Sequence, residues 1–513
     1  MEKSRIKNTI RNVRSGIIVQ IINKVMAFIV RTVFIRILNT EYLGVNGLFT
    51  NILTVLSFAE LGIGTAIIFS MYKPVAEDDT DKIKSLMRLY KKSYNTIGIV
   101  VFILGICVIP FMKYIIKDAP NIKESIILIY VLFLINTSVS YFFTYKKSII
   151  TAHQQESIIN RIDSFFYLIK SILEIVFLIL TKNYILYLII QVACTIFENI
   201  IISYKANKMF PYLKEKNVKE LEKEEKKSIF INIKSLVIYK LGTTILGGTD
   251  NIIISSIIGV AAVGLCSNYV LITDSIRGII TNVLNGVTSS VGNLNASADG
   301  RKKETIFYQL TFVSFWIHGF CATAFVVLLN PFINLWLGSE FVLPNAVSVS
   351  LALSFFICGI RMPAYTYRVT MGLFERGKMT PFLASIINIV LSIALGRIMG
   401  VSGVFFATAI AQLFSYSIID PYLIYKYEFK SSIKGYVKKI VRYFTIFIIT
   451  CILAYIFASL IRTENFINLI VKGIIVTIVS NLMYFIFYCR TEEYMELKEK
   501  ILIPFLRKYK IIR

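Results

Sequence analysis

The sequence predicts an all-α membrane protein, and three observations predict it. Apolar runs recur from end to end, hydrophobic residues make up 56% of the 513, and mean hydropathy is +0.68. A bilayer core needs roughly 20 helical residues to cross, and on that ruler about fourteen spans can be placed. They cover 14–38, 45–71, 95–116, 125–145, 163–181, 184–204, 230–257, 262–292, 306–329, 346–372, 380–398, 401–425, 440–461 and 467–489.

The net charge of +25 is explained by topology rather than by nucleic acid. Lys and Arg crowd into alternate connections, at 73–92, 146–161, 205–227, 301–303, 368–378 and 426–442, and into both ends of the chain. The opposite side holds only Arg36, Lys113, Lys117, Lys123, Lys182, Arg397 and Arg462. The positive-inside rule therefore puts both termini in the cytoplasm. The opening MEKSRIKNTIRNVRSG reads as a basic leader to a retained first helix, because the apolar run after it is too long for a cleaved signal. All seven cysteines fall in apolar spans without a CxxC pair and read as packing residues.

The one substantial linker, 205–228, alternates Glu and Lys and predicts an exposed helix along the membrane. It divides six spans from the next six, giving a first lobe at 1–228 and a second at 229–430. The remaining spans and tail, 431–513, form an accessory pair with a basic, partly apolar end suited to an anionic leaflet. A weak internal repeat crosses the linker. ILNTEYLG at 37–44 and IIGVAAVG at 257–264 each leave a long helix, turn and re-enter on a Gly, which sets Arg31 against Asn251.

Polar residues inside the spans mark the candidate site. Gln20, Lys24 and Arg31 share one stripe of the first span. A central Lys or Arg costs about 2.5–3.5 kcal/mol on insertion scales, so two of them point to a protein interior or wet cavity and to anionic cargo. The seventh span repeats the pattern with Lys240, Thr244, Gly247 and Asp250 or Asn251, and the eighth carries Asp274 and Arg277 at i, i+3, followed by Thr281 and Asn285. The second span adds Asn46, Thr50, Ser57 and Glu60. Substrate contacts are accordingly expected from Gln20, Lys24, Arg31, Lys240, Asn251 and Arg277, and ion coupling or gating from Glu60, Asp250 and Asp274.

Each has a structural alternative. Asp274 with Arg277, or Lys170 with Glu174, can neutralise each other within a helix, and Arg31 can latch onto Asp250. Arg361, just before Pro363, can bind carbonyls freed at the kink. Glu198 and Asp420 lie near the cytoplasmic ends of their spans.

Enzyme signatures are missing. The two histidines, His153 and His318, belong to no metal-spaced cluster, and no Walker A sequence is present, so no metal or other cofactor is expected. Energy input would come from a gradient or from substrate mass action, and Glu60, Asp163, Glu174, Asp250 and Asp274 are the proton or sodium sites on offer.

The stretch 34–79, with Arg36, Glu41-Tyr42-Leu43-Gly44, Gly47, Glu60-Leu61-Gly62-Ile63-Gly64 and Tyr72-Lys73-Pro74, resembles the opening of bacterial polysaccharide repeat-unit flippases. These belong to the multidrug/oligosaccharidyl-lipid/polysaccharide exporter superfamily. The resemblance implies a MATE-like, V-shaped transporter of two six-helix lobes plus two C-terminal helices. Its cargo would be an undecaprenyl-pyrophosphate-linked oligosaccharide, moved from the inner to the outer leaflet for capsule, O-antigen or exopolysaccharide synthesis. Membrane lipids and a polysaccharide polymerase are the implied partners. Competing expectations are a peptidoglycan-precursor flippase, a drug exporter of the same superfamily, or a membrane-embedded polymerase or ligase. The last needs a large external loop, which the short outer connections do not offer.

Overall fold

The computed structural model describes residues 2–60, 63–118, 120–215, 218, 220–222, 224–225, 237, 240–297, 300–373, 375–462 and 465–499, with side chains in the first helix described from Gln20 onward. The expected continuous linker helix at 205–228 does not form: the helix of the sixth span ends at Met209, Pro211–Lys214 make a 3-10 turn because Pro211 cannot extend the helix, and 215, 218 and 220–222 are not helical. Residues 216–217, 219, 223 and 226–228 of that linker, the start of the seventh span, the side chain of Asn285 and the end of the basic tail lie outside the described residues. Every regular element among the described residues is helical. The chain divides into two units, Met1–Gly264 and Leu265–Arg513.

In the first unit α1 (Glu2–Ile37), α2 (Thr40–Leu56) and α3 (Ile63–Ala76) precede α4 (Thr80–Val108), the short α5 (Met112–Ile115), α6 (Ile126–Ala152), α7 (Glu156–Thr181) and α8 (Tyr184–Met209). Helical turns at 240–248 (α9) lead into α10 (Asp250–Ile257). Local chemistry sets the breaks. The Asn39 side chain caps α2 by accepting from the backbone N–H groups of Glu41 and Tyr42, and Asp79 caps α4 through Lys82 N–H. Between α7 and α8, Lys182 takes a left-handed conformation (φ 52°) and Asn183 caps the next helix. Helix α6 packs on α4 and α8, α7 on α8, α1 on α7, and α3 on α4 and α6.

The second unit holds α11 (Val260–Ser297), which starts at the end of the first unit, then α12 (Gly300–Leu337), α13 (Asn345–Ile360), α14 (Met362–Thr370), α15 (Thr380–Met399), α16 (Val401–Phe414) and α17 (Tyr416–Ile424). It closes with α18 (Lys434–Ser459), α19 (Phe466–Tyr488) and α20 (Glu492–Leu497). Helices α18 and α19 pack on each other and on α12. Aromatic faces join them: Phe315 stacks on Tyr443 at 4.4 Å, and Phe356 on Phe447 at 4.0 Å.

Among the described residues ten helices are long and apolar enough to cross a membrane. They match the third to sixth and the ninth to fourteenth of the sequence-predicted spans. The other four segments differ for physical reasons. The described part of α1 carries Lys24, Arg31 and Arg36, and the second candidate is interrupted by a 3-10 turn at Ser57–Glu60. The seventh begins outside the described residues, and the eighth lies within the continuous α11. Thus ten spans, rather than fourteen, satisfy length and composition among the described residues.

Candidate functional site

In the first unit a cavity of about 330 Å³ lies where the start of α3 and the last turns of α6 meet α4. Glu60, Tyr90, Tyr94, Thr144, Lys147 and Lys240 line it. Tyr94 donates its hydroxyl to Glu60 Oε1 at 2.7 Å and packs edge to face on Tyr90, with ring centroids 4.5 Å apart. Gly64 makes this possible. A Cβ there would lie 2.5 and 2.7 Å from the hydroxyls of Tyr94 and Tyr90, so the glycine after Glu60 lets two phenols approach the backbone.

Lys147 links three helices. Its ammonium donates to Asp163 on α7 at 3.2 Å and to Glu198 on α8 at 3.1 Å, from the last turns of α6. Two carboxylates therefore neutralise one cation, and Lys240 supplies the other lysine of the cavity wall. Sequence reasoning missed Lys147, Tyr90 and Tyr94, because 146–161 reads as a connection. The missed signal is a stripe along α6: Ser140, Thr144, Lys147 and Thr151 recur at helical spacing.

The stripe of the first span does not share that cavity wall. Arg31 lies beside Tyr187 of α8, which also faces the buried Glu174 and packs on Phe34 at 5.4 Å. Lys24 and Gln20 are half-buried earlier on α1, and α1 packs along α7. Asp250 opens α10, and Asn251 Nδ2 would lie 3.6 Å from a Cβ on Gly47 of α2. Thr50, Thr54 and Ser57 of α2 bond the carbonyls four residues back.

The motif Glu41-Tyr42-Leu43-Gly44 has a structural role. Glu41 accepts the backbone N–H of Asn121, Tyr42 donates its hydroxyl to Glu124, and Asn39 Nδ2 bonds Asn121 O at 3.0 Å. Together they fasten the turn after α1 to the connection before α6. Gly44 abuts the Val260 carbonyl, and Gly264 abuts that of Thr40.

In the second unit Arg277 pairs with Asp274 at 3.1 Å, both half exposed, as the spacing within one helix allows. Arg361 stacks its guanidinium on Tyr416 at 4.2 Å rather than on carbonyls freed by Pro363. Arg368, counted from sequence among the loop cations, is wholly buried. It faces the equally buried Asp420 at 3.3 Å and donates to Gly377 O at 3.0 Å. The lone His318 is buried, and its Nδ1 lies 2.8 Å from Ser314 O.

Residues 9–291, more than half of the chain, match the model of a family described as polysaccharide biosynthesis protein. The chain belongs to that family. Among curated proteins none matches it. Solved structures similar to this family member include an inward-facing multidrug resistance MATE family transporter of the MOP superfamily, with TM-score 0.61 and 14% identity over 79% of this chain and 94% of that one. The lipid II flippase MurJ, in an inward closed conformation, gives TM-score 0.63 and 16% identity over 92% and 98%. The Vibrio cholerae MATE transporter VcmN gives 0.58 and 12% over 83% and 98%. At such identities the likeness establishes the fold, which is MATE-like and all-α, as the sequence predicts.

Proposed function

We propose that this polysaccharide biosynthesis protein is a flippase. It moves an undecaprenyl-pyrophosphate-linked oligosaccharide from the inner to the outer leaflet of the cytoplasmic membrane, for capsule, O-antigen or exopolysaccharide assembly. The observation that carries the reading is the cavity lined by Lys147, Lys240, Glu60 and tyrosine hydroxyls, inside the stretch that matches the family. A sugar head group asks for hydroxyl donors, a carboxylate and aromatic edges, and its pyrophosphate asks for cations that replace lost water. Lys240 supplies such a cation in this cavity, while Lys24 and Arg31 on α1 lie outside its wall and would meet the pyrophosphate elsewhere on its path. Lys147 is held by its two carboxylates and shapes the wall. The lipid tail stays among acyl chains throughout.

A gradient-driven cycle would use carboxylates of the first unit. Glu60, which lines the cavity with Lys240, and the Asp163/Glu198 pair on Lys147 would exchange a proton or sodium ion. A polymerase acting after transport is the natural partner of such a flippase.

The test is a strain lacking the gene, complemented with variants checked for insertion. Loss of the chain should remove surface polymer while growth continues, whereas a peptidoglycan-precursor flippase would be required for growth. Arg31→Ala and Lys240→Gln should each abolish polymer, and Arg31→Lys should keep part of it. Normal polymer in both neutral variants would overturn the assignment of these cations.

A further inference from the structure

A second polar cavity lies in the other unit, among helix ends on the charge-poor side. It measures about 570 Å³, within the range of small-molecule sites, and sits where α12 and α18 end and α13 and α19 begin. Its walls combine two chemistries. Val326, Pro331 and Tyr455 provide an apolar side, while Asn334, Asn345 and Lys472 provide donors. None of its lining residues is acidic.

The polar side is built rather than incidental. Asn330 binds through both ends of its amide. Its Nδ2 donates to Leu343 O at 2.9 Å and to Asn345 Oδ1 at 2.7 Å, and its Oδ1 accepts from Tyr269 at 2.7 Å and from Ser348 at 2.9 Å. This fixes the 338–345 connection as the floor of the cavity. Because Asn345 Oδ1 is already engaged, its amide presents N–H donors. Lys472 lies six residues into α19, about 9 Å from the helix start at 1.5 Å per residue, and is half-buried. Among the described residues its ammonium has neither a hydrogen-bond acceptor nor a carboxylate partner.

A lysine at that depth in an apolar helix costs free energy unless an anion or water meets it. We propose that this cavity binds one anionic glycerophospholipid of the charge-poor leaflet. Its phosphate pairs with Lys472, its glycerol hydroxyls meet Asn334 and Asn345, and the first methylenes of an acyl chain lie on Val326, Pro331 and Tyr455. Charge complementarity selects an anionic head group over a zwitterionic one, whose ammonium would find no carboxylate among the described lining residues. The bound lipid sits where the ends of α12 and α18 meet the starts of α13 and α19. The site lies outside the first unit and stands independently of the cargo proposed above.

The experiment is native mass spectrometry and thermal unfolding of the purified full chain, titrated with phosphatidylglycerol, phosphatidylcholine or undecaprenyl pyrophosphate. Wild type should retain one phosphatidylglycerol at least fivefold more than phosphatidylcholine and should unfold at a higher temperature in its presence. Lys472→Gln should lose that preference and that shift, and Lys472→Arg should keep both. Equal retention of phosphatidylglycerol by wild type and Lys472→Gln would overturn the proposal. So would undecaprenyl pyrophosphate binding through Lys472 in place of phosphatidylglycerol, which would make the cavity a cargo site. Should Lys472→Gln not fold, equal retention of the two phospholipids by wild type and Lys472→Arg would overturn it as well.

Discussion

Gly44 meets Val260 as Gly264 meets Thr40: at either glycine a Cβ would overlap the backbone carbonyl of the partner turn. The four positions are related by the offset that aligns the two repeat segments, since 40 maps to 260 and 44 to 264. The repeat is thus also a contact, in which each turn receives the other's backbone. A larger side chain at either glycine must separate two backbones, and overpacking of that kind costs about 1–3 kcal/mol. Gly44→Val and Gly264→Val should each lower the unfolding temperature in detergent by several degrees. Gly247→Ala, where a Cβ meets nothing within 4 Å, should leave it unchanged or raise it.

The buried pair of Arg368 and Asp420 makes a second prediction. Neither side chain is exposed, and a Cβ on Gly377 would strike the guanidinium that donates to its carbonyl. Removing one partner strands the other charge and costs about 3–5 kcal/mol. Asp420→Leu should therefore prevent accumulation of folded protein, and Arg368→Met combined with Asp420→Leu should restore most of it. Thermal unfolding of the membrane-extracted variants checks both, and a double variant as unstable as the single one would refute the pairing.

Lys147 gives an asymmetric prediction, because losing a carboxylate and losing the cation differ in effect. One cation serves two carboxylates, so Asp163→Asn removes an excess negative charge and should be close to neutral for stability. Lys147→Met leaves Asp163 and Glu198 facing each other. Because all three remain partly hydrated, with side chains 23–39% exposed, the loss should be about 1–2 kcal/mol rather than that of a fully buried pair. The triple variant Lys147→Met, Asp163→Asn, Glu198→Gln should recover it. Unfolding temperatures of the three proteins decide the matter.

Much of the fold was legible because bilayer length and apolar runs are strong, local signals. Ten spans follow from them, and so do the α18–α19 pair and the Gly44/Gly264 repeat. The site was legible only in part. Glu60 and Lys240 were found as polar residues within apolar segments, and the cavity brings them together. Lys147 and Arg368 were read as loop cations, since a charge near a predicted span end looks the same whether solvated or paired. Their partners lie far off in the chain, Glu198 being 51 residues from Lys147. The Tyr42–Glu124 fastening, 82 residues apart, was hidden for the same reason. Arg277 was read both as a head-group contact and as a helix-internal pair, and it makes the pair with Asp274.

Translocation in reconstituted vesicles tests the central claim most directly. Purified protein would be placed in vesicles with an undecaprenyl-pyrophosphate-linked oligosaccharide, and exposure of the sugar on the opposite face would be followed with a lectin. The account predicts transfer well above protein-free vesicles and at least tenfold slower transfer with Lys240→Gln or Arg31→Ala. Wild-type protein that transfers the lipid no faster than empty vesicles, or variants as fast as wild type, would contradict it.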